Sequence, residues 1–573
     1  MKLKRYFFSF FTSFFLLLTG CANITIPTNA NTAFRNYTLC LFQEEVAANT
    51  INLHYSLKEP EKYGITDSPI TFGSFNFSES ASLAAIENWN NALHKFSYNT
   101  LSKENKLTYD ILSYYFETAA QDVAFYLYEE PLSPITGIHA QLPVLLAEYQ
   151  FSDSEDVETY LSLLQTLPEY FDSIINFEQQ KAATGLFMCD TVADDVIEQC
   201  RAFISMGDNN YLLSTFEERV SNVKGIPEKT KLELYTKNKN TLDSKILPSY
   251  EKLISAINDL KNSNSNSKGL FSLPEGRNYY AHLVRTSTGS SKSIKEMQEL
   301  IENQIATDLM DTQILLKEHK YLLEETASIS QSPDSILETL EHKISNTFPS
   351  SATVNVEIKY VPNALEEYLS PAFYLIPSID NYAENVIYIN QSYSMEDISL
   401  FTTLAHEGYP GHLYQTTYYA STNPDPIRTL LNFEGYVEGW ATYAEMCSYY
   451  LSSLEKPLAT FLQKNNSIIL GLYATADIGI HYDGWDYEDT ASFFNSYGIT
   501  DEATLKEIYD LILGDPANYL KYYIGYIEIL ELKKELIKEM GGDFSQKEFH
   551  QKLLDIGPAP FEIIRKYMDI SFG

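Results

Sequence analysis

Three observations predict a mainly α fold with a large buried core and a small β-sheet. Apolar residues recur at helical spacing through most of the chain, alternating stretches are few, and 44% of the 573 residues are hydrophobic. Leu107, Ile111, Leu112, Tyr114 and Tyr115 form one helical set, and Val157, Tyr160, Leu161 and Leu164 another. With 43 Tyr and 32 Phe the composition is not that of a disordered chain.

At the N-terminus, Lys2, Lys4 and Arg5 precede an apolar run from Phe7 to Leu18. A basic stretch before a short apolar run is a secretory signal, and this run is too short for a comfortable membrane-spanning helix. Leu18-Thr19-Gly20-Cys21 resembles the bacterial lipobox. That resemblance implies cleavage before Cys21, a lipid on its thiol, and a protein anchored on the extracytoplasmic face of the cell membrane. The expected division is then 1–20 as lipoprotein signal peptide and 21–34, small and polar, as a tether.

Residues 35–260 read as an N-terminal helical half, punctuated by breaks near Pro131, Pro134 and Pro143. The low-complexity tract Lys261–Gly269 is a connector, either a boundary or a surface loop, and 270–573 form a C-terminal helical half. In that half, Ser293 and Glu296 make a capping box for a long helix, and Ser394 to Asp397 cap another. Residues 353–361 alternate strictly and read as a strand, and 386–390 as a second, so the sheet lies just upstream of the candidate site. An edge strand there could pair with an extended peptide. Besides Cys21 the cysteines are Cys40, Cys189, Cys200 and Cys447, too few for a disulfide framework, although Cys189 and Cys200 could pair. The net charge of -36, without a Lys/Arg stripe, excludes a nucleic-acid partner and is the solubility charge of an exposed protein.

The stretch that carries chemistry is His406-Glu407-Gly408-Tyr409-Pro410-Gly411-His412, followed by Glu434, Glu438 and Glu445 on one predicted helix. Two histidines, a neighbouring glutamate and a later carboxylate are the residue types of a catalytic zinc site. Six residues separate the histidines. On an ideal helix that spacing sets them roughly 240° apart and about 9 Å along the axis, so they could not converge. Pro410-Gly411 supplies the break that could swing His412 back. Residues 434, 438, 441 and 445 share a face, and burying its three carboxylates amid Phe433, Tyr436, Val437 and Trp440 calls for a cation. The bland alternative is a solvated acidic face.

His-Glu-x-x-Pro-Gly-His followed by Glu-Gly-Trp-Ala-x-Tyr-Ala-Glu resembles the bacterial "domain of unknown function 885" family, similar in style to gluzincin peptidases. Asp477-x-Gly-x-His481-x-x-x-Trp485 and Pro516-x-x-x-x-x-Tyr522-x-x-Gly525 extend the likeness. One departure is Leu413, where the family often has a second histidine. The resemblance implies a large helical peptidase-like fold enclosing a deep cleft, with Zn2+ held by His406, His412 and Glu438 and with Glu407 as general base and acid. It implies Tyr522 and His481 as candidates for stabilising the oxyanion, and Glu445 or Asp477 as partners that orient a ligand histidine.

The function these readings imply is a membrane-anchored zinc peptidase acting on short peptides. A non-catalytic surface binding lipoprotein, or a zinc hydrolase of a non-peptide amide or ester, remains an alternative. Arg285 and Lys521 are the cations available to hold a substrate carboxylate, and nothing in the sequence selects either.

Overall fold

The structure is a computed structural model that describes residues 29–261, 263, 268–325, 327, 331–361, 366, 370–393 and 398–569. The signal peptide, Cys21, most of the low-complexity tract and Ser394 to Asp397 lie outside the described residues. Among the described residues the fold is mainly α, with one three-stranded sheet. No described helix is long and apolar enough to cross a membrane.

The helices that build and brace the site are, in chain order, α1 (Ala30–Val46), α2 (Lys103–Phe125), α3 (Gly276–Thr288), α4 (Ile294–Glu318), α5 (Ile398–Glu407), α6 (His412–Ser421), α7 (Glu434–Ser448), α8 (Lys456–Ile478) and α9 (Asn518–Met540). Side-chain caps set several starts: Asn29 accepts from Asn31 N at α1, and Ser102 from Asn105 N at α2. The Ser293–Glu296 capping box opens α4 as its sequence requires. Because α1 begins at Ala30 and buries Ala33 and Phe34 completely, residues 30–34 belong to the first helix rather than to a tether.

Pro143 also departs from expectation, since it lies inside a helix (Ile138–Glu148) instead of breaking it. A proline there removes the amide that would bond to the carbonyl four residues back. Here the Tyr250 hydroxyl donates to that carbonyl, His139 O, at 2.7 Å, so the helix loses no buried partner. Cys189 and Cys200 are both free. Cys189 caps a helix on which Cys200 lies eleven residues later. That is roughly 16 Å along the axis, beyond disulfide reach.

Strands β1 (Asn355–Tyr360), β2 (Ala372–Leu375) and β3 (Glu384–Ile389) are ordered β1-β3-β2. β1 runs parallel to β3 and β2 antiparallel to it, with Tyr374 opposite Ile387. β2 is therefore an edge, and it packs against α5. In the helical layers α7 lies along α9, α4 along α8, and α3 against α9. Buried side chains of both halves join one hydrophobic cluster that runs from Ala33 to Met568.

Candidate metal centre

The turn between α5 and α6 brings the two histidines together. Gly408 N still bonds to Leu404 O at 2.8 Å, continuing α5 past Glu407. The chain then reverses through Tyr409–Pro410, a cis peptide, and Tyr414 N returns to Gly408 O at 3.2 Å. A Cβ on Gly411 would sit 1.8 Å from the His406 carbonyl oxygen, so only glycine permits this approach. From α7, Trp440 donates its indole N–H to Pro410 O at 2.8 Å and ties the turn to the helix carrying Glu438. The imidazoles of His406 and His412 end with ring centroids 4.9 Å apart and planes at 77°.

Glu438 completes the cluster. Its Oε2 lies 3.6 Å from His406 Nε2 and 3.4 Å from His412 Nε2, and the three ligand atoms lie within 4.8 Å of one another. Tetrahedral bonds of about 2.0–2.2 Å would set ligand atoms roughly 3.3–3.6 Å apart, so the spacing fits a bound metal. Glu438 Oε2 is buried and makes no hydrogen bond, which is the condition a cation relieves. Burial pushes the Glu438 carboxyl up, but the imidazoles of His412 and His406 outweigh it and hold it well below the usual carboxylate range.

One helical face of α7 carries a further partner. Glu445 Oε2 accepts from His406 Nδ1 at 3.0 Å, and its Oε1 accepts from Asn466 Nδ2 of α8 at 3.2 Å. With Nδ1 so engaged, Nε2 of His406 faces Glu438. Glu434, at the start of α7, instead pairs with Lys521 Nζ at 3.3 Å and is not one of the three clustered residues.

Glu407 is fully buried beside His406, and its two oxygens differ. Oε2 accepts the Tyr374 backbone N–H at 3.0 Å, whereas Oε1 makes no hydrogen bond. Tyr522 reaches the same region from α9. A Cβ on Gly525 would lie 2.1 Å from Gly435 O and 2.8 Å from Gly439 Cα, so bare glycines let α9 press onto α7 one turn from Tyr522. Burial, then the fields of Glu438, Glu434 and Glu407, raise the Tyr522 hydroxyl well above its ordinary pKa and keep it protonated.

His481 and Asp477 sit elsewhere, and the expectations for both are corrected. His481 Nδ1 accepts from Leu270 N at 3.2 Å and its Nε2 donates to Ile512 O at 2.8 Å, so neither ring nitrogen is left for an oxyanion. Asp477 Oδ1 accepts from Tyr280 Oη at 2.7 Å and from Ala517 N at 2.9 Å, which fixes the start of α9 rather than a ligand histidine. Of the two cations, Lys521 is engaged by Glu434, and Arg285 lies over the Tyr114 ring at 5.7 Å. Asn466, the Tyr374 amide and the Trp440–Pro410 bond belong to the site without any signal in the local sequence pattern.

The fold has solved relatives. A candidate lipoprotein from Colwellia psychrerythraea superposes with a TM-score of 0.83 at 18% identity, covering 94% of this chain and 99% of that one. A candidate lipoprotein of unknown function from Shewanella oneidensis gives 0.62 at 17% identity, covering 94% and 98%. No curated protein matches the chain. Residues 76–568 match the family described as "Bacterial protein of unknown function (DUF885)", and the chain belongs to that family.

Proposed function

We propose that this protein is a lipid-anchored, extracytoplasmic zinc peptidase that hydrolyses short peptides. The observation that carries the reading is the buried convergence of His406, His412 and Glu438 beside a Glu407 that has one oxygen fixed and the other without a hydrogen bond. A zinc ion held by His406, His412 and Glu438 would supply Lewis-acid chemistry, polarising a carbonyl and making water a better nucleophile at neutral pH.

The chain's own residues supply the rest. Glu407 Oε1 takes the proton of the attacking water and delivers it to the leaving amine, while the Tyr374 amide holds Oε2 still. The protonated Tyr522 hydroxyl, buried in the fields of Glu438 and Glu407, is the donor for the oxyanion. β2 supports a peptide over other acyl substrates, because it is a sheet edge beside Glu407 that would meet an extended backbone through groups other than the Tyr374 N–H, which Glu407 already holds. Leu18-Thr19-Gly20-Cys21, together with two solved relatives described as candidate lipoproteins, supports the anchor.

The test is metal content of the purified protein with product masses from a mixed peptide library, with and without chelator. Zinc near one per chain and chelator-sensitive cleavage are expected. Zinc without cleavage of any peptide would leave a metal-binding surface protein, and cleavage of amide or ester probes alone would move the substrate class.

A further inference from the structure

A cavity of about 460 Å³ is lined by chain neighbours of the candidate site residues, and its size is within the range of small-molecule sites, roughly 300–1,000 Å³. Its walls come from both halves of the chain, and its place is set by α7 and α9. Glu434 lies one turn before Glu438, Lys521 directly precedes Tyr522, and both line it. Phe75, Tyr114, Phe125, Tyr126, Tyr279 and Phe433 give it aromatic faces.

The charged groups on those walls are unbalanced. Asp122, Glu129, Glu434 and Asp515 face a single ammonium, Lys521, and a single imidazole, His282. Lys521 is already held by Glu434 at 3.3 Å, and His282 Nε2 is bonded to Asp122. Asp515 Oδ2 is buried and makes no hydrogen bond. Burial pushes the Asp515 carboxyl up to about 7 even against the field of Lys521, so it is only partly ionised at neutral pH, and a further cation in the cavity would draw out its charge. A carboxylate entering the cavity would meet net negative walls and no uncommitted lysine, whereas aromatic faces and carboxylates together attract a cation.

We propose that this cavity binds the part of the substrate that carries an ammonium on an apolar body, either a free amino terminus or a lysine side chain. The inference rests on the peptidase reading for the identity of the ligand as a peptide, but not for the binding itself. It places the substrate's positive group against the wall that Glu434 and Lys521 share, and makes capture of a carboxy terminus here unfavourable.

The experiment measures binding, by calorimetry, to full-length Glu407→Gln protein in detergent. Four probes are used: L-phenylalanine amide, N-acetyl-L-phenylalanine amide, N-acetyl-L-lysine amide and N-acetyl-L-norleucine amide. The charged member of at least one pair should bind tenfold or more tightly than its neutral partner, the first pair reporting an amino terminus and the second a side chain. Asp122→Asn and Asp515→Asn, each in the same background, should reduce that gap below threefold without weakening the neutral probe. Equal binding within both pairs, a gap that survives both substitutions, or no binding of any probe overturns the proposal. Hydrolysis by the wild-type protein is measured separately. Ammonium preference without hydrolysis removes the peptidase reading and leaves the cavity, and hydrolysis without preference does the reverse.

Discussion

Trp440 and Pro410 share a hydrogen bond of 2.8 Å that joins the helix carrying Glu438 to the turn that redirects His412. Both ends are buried, so the bond has no water to replace it. Trp440→Phe keeps an aromatic ring but leaves the Pro410 carbonyl unpaired, at a cost of about 1–3 kcal/mol. Metal affinity, measured by chelator competition, should fall on the order of tenfold because His412 is no longer held in register. Lower thermal stability with unchanged metal affinity would make the bond a packing feature only.

Under the proposed mechanism, Glu445 would act through His406, to which it is hydrogen-bonded, rather than on substrate. Glu445→Ala leaves His406 Nδ1 without the acceptor it has at 3.0 Å and frees the ring to turn. Metal affinity should drop by about 10–100-fold, and saturating zinc should restore most of the turnover. Asn466→Ala, one bond further out, should show the same effect more weakly. A loss of turnover that excess metal does not repair would assign Glu445 a more direct role.

Under the proposed mechanism, variants at Glu407 and Tyr522 would separate proton transfer from oxyanion stabilisation. Glu407→Gln should keep metal and lower kcat by roughly 10²–10⁴-fold. Tyr522→Phe removes one donor and should lower kcat by about 10²–10³-fold with KM little changed. Wild-type rates in Tyr522→Phe would reduce that hydroxyl to a packing group.

The sequence carried the clustering of His406, His412 and Glu438 because its parts are local: two histidines, a Pro-Gly break between them, and a carboxylate face with a seven-residue step from Glu438 to Glu445. It did not carry β2, since the four residues Ala372–Leu375 form an apolar run too short to assign by periodicity. Asn466 reaches Glu445 from another helix, a relation no local pattern encodes. His481 read as chemically able, yet its segment is a backbone clip. Gly479 leaves room for the Trp485 ring, which a Cβ would meet at 2.3 Å, and Gly484 takes φ +86°. Composition and spacing cannot tell an imidazole that meets substrate from one that ties Leu270 to Ile512.

Asp477 gives a pH signature of that clip. Burial pushes its carboxyl from 3.8 up to about 7, so between those values the folded protein holds a proton that the unfolded chain has released. By linkage, stability then decreases as pH rises through this window, by up to about 1.4 kcal/mol per pH unit for this group. Asp477→Asn resembles the protonated form and can still accept from Tyr280 and Ala517 through its carbonyl oxygen. The variant should therefore gain stability relative to wild type as pH goes from about 4 to about 7, with no further change above that. Paired denaturant titrations across this range read the difference directly. A constant gap at every pH would mean that Asp477 titrates in the folded protein as it does in the unfolded chain, and that the start of α9 is fixed by an ionised carboxylate instead.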